Sequence, residues 1–353
     1  MTDEYYYDSA DMLRDLISVP SHSREEAGAA EVVEKYIRDA GFEPQRYGNN
    51  VWAVAPGYNT GRPTLLLNAH IDTVKPAAGW TYDPYTPTEE EDILYGLGSN
   101  DDGASVVSLF AAFRVVSQSG LSYNLIFLAS CEEEVSGKNG IESVLPLLGK
   151  IDFAIVGEPT GMNPAVAERG LMVLDGVIRG VSSHVAKGGG VNAIYQALPV
   201  IEKLKNLKFE KVSETLGPVA INVTQIESGT AHNVVPDLCK IVVDVRTTDA
   251  YTNEETLQMI KDAVPECELK ERSTRLRPSG IATSHPVVQA AKMLGKEPYG
   301  SPSMSDQALM SFPSVKMGPG QSSRSHTANE FIRWSEIREA IEIYIRILSG
   351  MKL

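Results

Sequence analysis

Apolar residues recur at helical spacing over residues 9–40, with Met12, Leu13, Leu16 and Ile17 followed by Val32, Val33, Tyr36 and Ile37. The segment Val19-Pro20-Ser21-His22-Ser23-Arg24-Glu25-Glu26 interrupts that period, so two helices flanking a loop are predicted. Short apolar runs follow: Val51 to Ala55, Thr64 to Asn68, Asn124 to Ala129 and Phe153 to Val156. Between the second and third lies a helical pattern from Ala104 to Val116, which offers Val106, Val107, Leu109, Phe110 and Phe113 for burial. Strands alternating with helices predict an α/β architecture, a mixed sheet flanked by helices.

Between about 171 and 280 the pattern changes. Leu171 to Ile178, Ala220 to Ile226 and Lys240 to Val245 read as strands, and Val191 to Leu207 and Asn253 to Val264 as helices. Two helices among several strands predict a smaller inserted α+β domain at 171–280, dividing a larger domain into 1–170 and 281–353. After Ser284-His285-Pro286 a helix pattern resumes, and the strand Val315-Lys316-Met317 runs into Gly318-Pro319-Gly320. The final helix, Trp334 to Leu348, places Ile337, Ala340, Ile341, Tyr344 and Ile345 on one face.

With 353 residues the chain is long enough for about two domains. It carries 46 acidic and 32 basic side chains, a net charge of −14 that repels phosphate backbones and anionic lipid. Nucleic-acid and membrane partners are therefore not expected, and the basic stretch Lys270 to Arg277 reads as a solvated or substrate-rim segment. No apolar run approaches the roughly 18 residues of a membrane-spanning helix. The acidic, aromatic start Met1-Thr2-Asp3-Glu4-Tyr5-Tyr6-Tyr7 lacks the pattern of a signal peptide, so a cytoplasmic location is expected. Cys131, Cys239 and Cys267 are odd in number and widely spaced, which suits reduced thiols and leaves any metal to other ligands.

Chemistry gathers where the predicted strands end. Thr64 to Ala69 leads into His70-Ile71-Asp72, in which strand alternation would turn both polar side chains to one side. Asp101 and Asp102 open the Ala104 helix after a glycine-punctuated loop, either as dipole-complementing acids or with one of them bridging metals. Cys131-Glu132-Glu133-Glu134 follows the run Asn124 to Ser130, and Gly157-Glu158-Pro159 follows Phe153 to Val156. His326 comes six residues after Gly318-Pro319-Gly320. Carboxyl ends of strands are where α/β sheets hold ligands. Two imidazoles with three carboxylates and no thiolate suit zinc or a similar divalent ion, and two such ions sharing a carboxylate suit amide hydrolysis. Arg324 and Ser305-Asp306 are further candidates for holding a substrate carboxylate or ammonium.

Taken in order, His70-x-Asp72, Gly96-x-Gly98-x-x-Asp101, Glu133-Glu134, Gly157-Glu158-Pro159 and Gly318-x-Gly320 with His326 resemble the co-catalytic di-zinc metallohydrolase family of acetylornithine deacetylase and succinyl-diaminopimelate desuccinylase. The resemblance implies a zinc-peptidase-like catalytic domain with an inserted lid and dimerisation domain. It implies two Zn2+, with Co2+ or Mn2+ able to substitute: His70 and Glu158 on one, Glu134 and His326 on the other, Asp101 bridging. Glu133 would be the general base and Asp72 the partner of His70. Glu132 stands where the family usually has aspartate, and the base is placed at Glu133 because Val135-Ser136-Gly137 fits the continuation. In the inserted domain the resemblance makes His184 a stabiliser of the reacting carbonyl oxygen and Asn233 a substrate contact, with Arg246 following at family spacing.

The implied activity is hydrolysis of an N-acyl amino acid, N-acetyl- or N-succinyl-ornithine first, in arginine biosynthesis, by a homodimer joined through the inserted domain. Succinyl-diaminopimelate desuccinylation, lysine-pathway deacetylation and dipeptide hydrolysis are the enzymatic alternatives. A non-catalytic metal- or peptide-binding relative is the alternative of another class.

Overall fold

The computed structural model describes residues 2–351. They form two compact units, Met1–Val166 with Gly280–Tyr299 and Ser305–Leu353, and Ala167–Ser279 with Gly300–Met304. The fold is the expected mixed α/β type.

The first unit is built on a mixed sheet in the order Gln45–Tyr47, Asn50–Val54, Asn124–Ser130, Thr64–His70, Phe153–Val156, Ser314–Lys316. The first three strands pair antiparallel, and from Asn124–Ser130 onward the pairings are parallel. Every residue of Thr64–His70, Asn124–Ser130 and Phe153–Val156 is buried, because helices cover one face and loops and short helices the other. Alternation divides each strand between two cores. Leu65 and Leu67 pack with Phe113, Phe127 and Ile341 beneath the helices, while Leu66 packs with Trp52, Ile126 and Ile141 on the opposite face. The helix Ala104–Val116 buries eleven of its thirteen residues, since it lies between the sheet and the helices Thr2–Ile17 and Trp334–Gly350. The terminal helix buries the predicted face, Ile337, Ala340, Ile341 and Tyr344, and the Tyr344 hydroxyl donates to the Met317 carbonyl.

A three-stranded sheet, Phe331–Arg333, Ile93–Tyr95 and Thr88–Glu90, adds an element that the apolar pattern did not predict. It ties the segment after His326 to the segment before Asp101.

The second unit is α+β. The four strands of its main sheet run antiparallel in the order Ala220–Ser228, Leu238–Thr247, Gly170–Arg179, Glu268–Glu271. The two central strands alternate buried and half-exposed residues, and the helices Ala193–Asn206 and Asn253–Ala263 share their apolar core through Ala197, Val200, Leu204, Leu257 and Ile260. Thr252 and Glu255 form a capping box at the start of the second helix. The basic stretch is engaged here: Arg272 makes a two-pronged ion pair with Asp175, and Lys261 pairs with Glu271. Among the described residues no helix is long and apolar enough to cross a membrane.

Candidate metal centre

The parallel strands bring four of the five proposed ligand positions to one rim of the first unit's sheet. His70 is the last residue of Thr64–His70, and Glu133 and Glu134 follow Asn124–Ser130 in a single turn of 3-10 helix. Glu158 follows Phe153–Val156, and His326 lies in the loop beyond Ser314–Lys316. Asp101 sits not on a regular helix start but in an irregular turn, Ser99–Gly103, ahead of the helix Ala104–Val116.

Asp101 is the centre of the arrangement. Its Oδ1 lies 3.2 Å from His70 Nε2 and its Oδ2 3.7 Å from His326 Nε2. His326 Nε2 is also 2.9 Å from Glu134 Oε1. Ligating atoms of His70, Asp101 and Glu134 fall within 4.8 Å of one another, and so do those of His70, Glu133 and Glu158. His326 has a left-handed backbone, φ 59°, uncommon for a residue with a Cβ, and this conformation accompanies its contact with Glu134.

The orientation of His70 is fixed from behind. Its Nδ1–H donates to the Asp72 carbonyl at 2.9 Å, with the Asp72 carboxylate 3.5 Å away, so Nε2 is the nitrogen left for a ligand. Asp72 is fully buried and accepts the Ser23 hydroxyl at 2.7 Å and the Glu133 and Glu134 backbone amides at 2.9 and 3.1 Å. One carboxylate therefore serves His70 and the Glu133 turn together. The Glu132 carboxylate accepts the Asn139 side-chain amide at 2.8 Å. Of the acidic triplet, Glu133 and Glu134 are the two whose carboxylate oxygens converge with His70.

Two buried acids lie beside this arrangement. Asp306, read from the sequence as able to meet a substrate ammonium, instead accepts Asn68 Nδ2 at 2.9 Å and the Ser130 hydroxyl at 2.6 Å beneath the rim. Glu330 accepts the backbone amides of Gly98, Asn100 and Asp101. The sequence signal for Glu330 was an acid directly ahead of the apolar pair Phe331-Ile332 in a loop already carrying His326.

The electrostatics are those of crowded acids. Burial drives the Glu133 pKa well above the ordinary carboxylate range, with Asp306, Glu134 and Asp72 adding to it against His70. Burial does the same for Glu158, where Lys316 opposes and Asp101, Glu133 and Asp102 reinforce. Burial also pushes Asp102 to about 8 and Asp306 to about 6. For His70, burial opposes the cation, but the hydrogen bonds to Asp101 and Asp72 and the charge of Glu133 leave its pKa well above the ordinary value. A cluster of half-buried acids whose ligating atoms converge with two imidazole nitrogens is the donor set that hard-to-borderline dications satisfy. The residues fit a dinuclear site, since one carboxylate presents a different oxygen to each imidazole.

Four further candidates were named from the sequence. In the second unit His184 pairs in a two-stranded ribbon with Val234, its Nδ1 accepting the Ala186 amide at 3.2 Å, and the adjacent Asn233 carbonyl accepts the Val185 amide at 3.1 Å. Arg246 forms a two-pronged pair with Asp244 on its own strand. In the first unit Arg324 is paired with Glu336 at 2.6 and 3.1 Å and stacks over Phe331. Both guanidinium groups are thus already engaged by carboxylates.

Residues 66–350 match the model of "Peptidase family M20/M25/M40". A Wolbachia pipientis wMel protein named succinyl-diaminopimelate desuccinylase is 28% identical over 70% of this chain and 66% of its own length. One of the same name from Xylella fastidiosa (strain M23) is 31% identical over 68% of each chain. The chain thus spans about two thirds of the length of these relatives. In fold it is similar to an aminopeptidase PepT from Bacillus cereus ATCC 10987, with a TM-score of 0.79 at 20% identity over 97% of this chain and 98% of the other. It is also similar to the Bacillus subtilis YXEP protein, described as a dinuclear metal binding peptidase of the M20 family, with a TM-score of 0.75 at 18% identity over 99% of both chains. The chain belongs to peptidase family M20/M25/M40 and is an enzyme of its metallopeptidase and amidohydrolase class.

Proposed function

We propose that the chain removes the acyl group from an N-acyl amino acid by hydrolysing its amide at a dinuclear metal site. His70 and Glu158 hold one ion, Glu134 and His326 the other, and Asp101 is shared. The observation that carries this reading is the placing of Asp101, with one carboxylate oxygen toward each imidazole. Zn2+ is the proposed ion, with Co2+ or Mn2+ as substitutes, from the mixed imidazole and carboxylate donors. Bound there, such ions polarise an amide carbonyl and bring the pKa of water toward neutrality.

Glu133 accepts a proton from the attacking water at its carboxylate and delivers it to the leaving nitrogen. Asp72 holds the Glu133 amide, and through it the position of that base. In the second unit His184 is assigned to the reacting carbonyl oxygen and Asn233 to the substrate, with Arg246 and, in the first unit, Arg324 as further substrate contacts. That second unit is proposed as the lid and dimerisation domain of a cytoplasmic homodimer. Its strand Ala220–Ser228 is a sheet edge that exposes Ile226, and the helix Ala193–Asn206 packed beside it exposes Tyr195 and Leu198, a surface that suits pairing with a second copy.

Two substrate classes lead. The motifs resemble those of acetylornithine deacetylase, which points to N-acetyl- or N-succinyl-ornithine and arginine biosynthesis. The names of the relatives bring N-succinyl-diaminopimelate and the lysine pathway forward. Purified protein loaded with zinc or cobalt should hydrolyse one of acetyl-ornithine, succinyl-ornithine and succinyl-diaminopimelate far faster than simple dipeptides. Preference for dipeptides would overturn the deacylase reading. Absence of both hydrolysis and metal binding would make the chain a non-catalytic relative.

A further inference from the structure

Glu330 stands four residues beyond His326 and is 2% exposed. Its carboxylate is aimed at the turn that carries Asp101. Oε1 accepts the Asn100 and Asp101 backbone amides, each at 2.9 Å, and Oε2 accepts the Gly98 amide at 3.2 Å, while the Glu330 carbonyl accepts the Gly96 amide at 3.1 Å. Asn100 completes the lock from the other side. Its Nδ2 donates to the Gln321 carbonyl and the Ser325 hydroxyl, both at 3.2 Å, and its Oδ1 accepts the Gln321 amide at 3.0 Å. Gly320 leaves the room for this, as a Cβ there would stand 2.2 Å from Asn100 Oδ1. The segments 96–101 and 320–330 are thus stitched at both ends, and the stitched stretch contains the two residues whose side chains meet across 3.7 Å, Asp101 and His326.

We infer that Glu330 is a positioning residue: it sets the separation of Asp101 from His326 by gripping the backbone of the Asp101 turn, and so sets the affinity of the His326 half of the site for its divalent ion. A buried carboxylate is suited to this because it accepts several amides at once, each bond charge-assisted and short in reach. Partners behind metal ligands tune affinity by about 10- to 100-fold when altered. The inference rests on the dinuclear reading above.

The test uses the full chain and three variants, Glu330→Gln, Glu330→Asp and Glu330→Ala. Zn2+ and Co2+ affinities are read by competition with a chromophoric chelator, alongside thermal unfolding and turnover at saturating metal. Glu330→Gln keeps one acceptor oxygen and the side chain's shape, and should fold with two-thirds of the grip. One of its two metal affinities should fall about 10- to 100-fold, the other should hold, and turnover should largely return at high metal. Glu330→Asp keeps the charge but withdraws it from the amides, and should behave like Glu330→Gln. Wild-type affinity at both sites in Glu330→Gln would overturn the inference. So would wild-type affinity in Glu330→Asp with loss in Glu330→Gln, which would make the residue a charge and not a grip. If Glu330→Ala fails to fold, the Gln and Asp pair still decides. Failure of the wild type to bind two ions would instead overturn the dinuclear reading.

Discussion

Replacing Asp72 with asparagine tests how the rim is held together. The Asp72 carboxylate uses both oxygens on the Glu133 turn: Oδ1 takes the Glu133 amide at 2.9 Å, and Oδ2 takes the Glu134 amide at 3.1 Å and the Ser23 hydroxyl at 2.7 Å. Asparagine supplies one oxygen, so whichever way its amide turns, its NH2 faces a backbone N–H in a site with no exposure to water. One charge-assisted hydrogen bond is lost, at about 1.5–3 kcal/mol, and a donor is left against a donor. About 2–3 kcal/mol is expected in all, and 1.4 kcal/mol is a factor of ten in rate. If that energy holds Glu133 in place, kcat/KM for the best acyl substrate should fall about 30- to 150-fold in Asp72→Asn. The same loss should lower Tm by roughly 4–12 °C for a unit of this size. Steady-state kinetics at saturating metal and thermal unfolding measure the two consequences separately. A variant with full metal content and kcat/KM within about threefold of wild type would refute the reasoning.

Other predictions follow from single features. Glu133→Ala should cut turnover by about 10²–10⁴ while keeping its metals, measured by kinetics and metal analysis of one sample; turnover near wild type would remove Glu133 as the base. Gly318→Ala would place a methyl 2.4 Å from Ser105 Oγ and 2.6 and 2.9 Å from the Glu158 backbone, and should cost about 1–3 kcal/mol in denaturant unfolding. His285 caps the helix Pro286–Met293 through Val287 and packs on Phe153, and burial lowers its pKa below the ordinary 6.5. Below pH 6.5 the unfolded chain therefore takes up the proton first, so this contribution is complete above that pH and lost as pH falls. The stability difference between wild type and His285→Asn should shrink from pH 7 to pH 5, and a pH-independent difference would sink the assignment.

Most of the first unit's frame was legible because its strands are short continuous apolar runs. Phe153–Val156 and the helix Ala104–Val116 lie where the pattern put them, and Thr64–His70 runs two residues longer than the apolar run. The helix Thr2–Ile17 begins earlier than the period suggested, since Tyr5 and Tyr6 are packed by the distant residues Arg114 and Trp334. The strand Thr88–Glu90 was invisible, because Thr-Glu-Glu has no apolar alternation and is held by its partner Ile93–Tyr95. The rim residues were found because strand ends are marked in the sequence. The burial of Glu26, Asp306 and Glu330 was not legible, because a carboxylate that will be buried on amide and hydroxyl donors reads like any surface acid until the chain is folded.

The most direct test of the dinuclear claim is anomalous diffraction from crystals of the zinc-loaded protein, recorded on both sides of the zinc absorption edge. Two peaks are predicted on either side of the Asp101 carboxylate, one within coordination distance of His70 Nε2 and the other of His326 Nε2. A single ion away from Asp101, or no ion in a protein that still hydrolyses its substrate, would contradict the account.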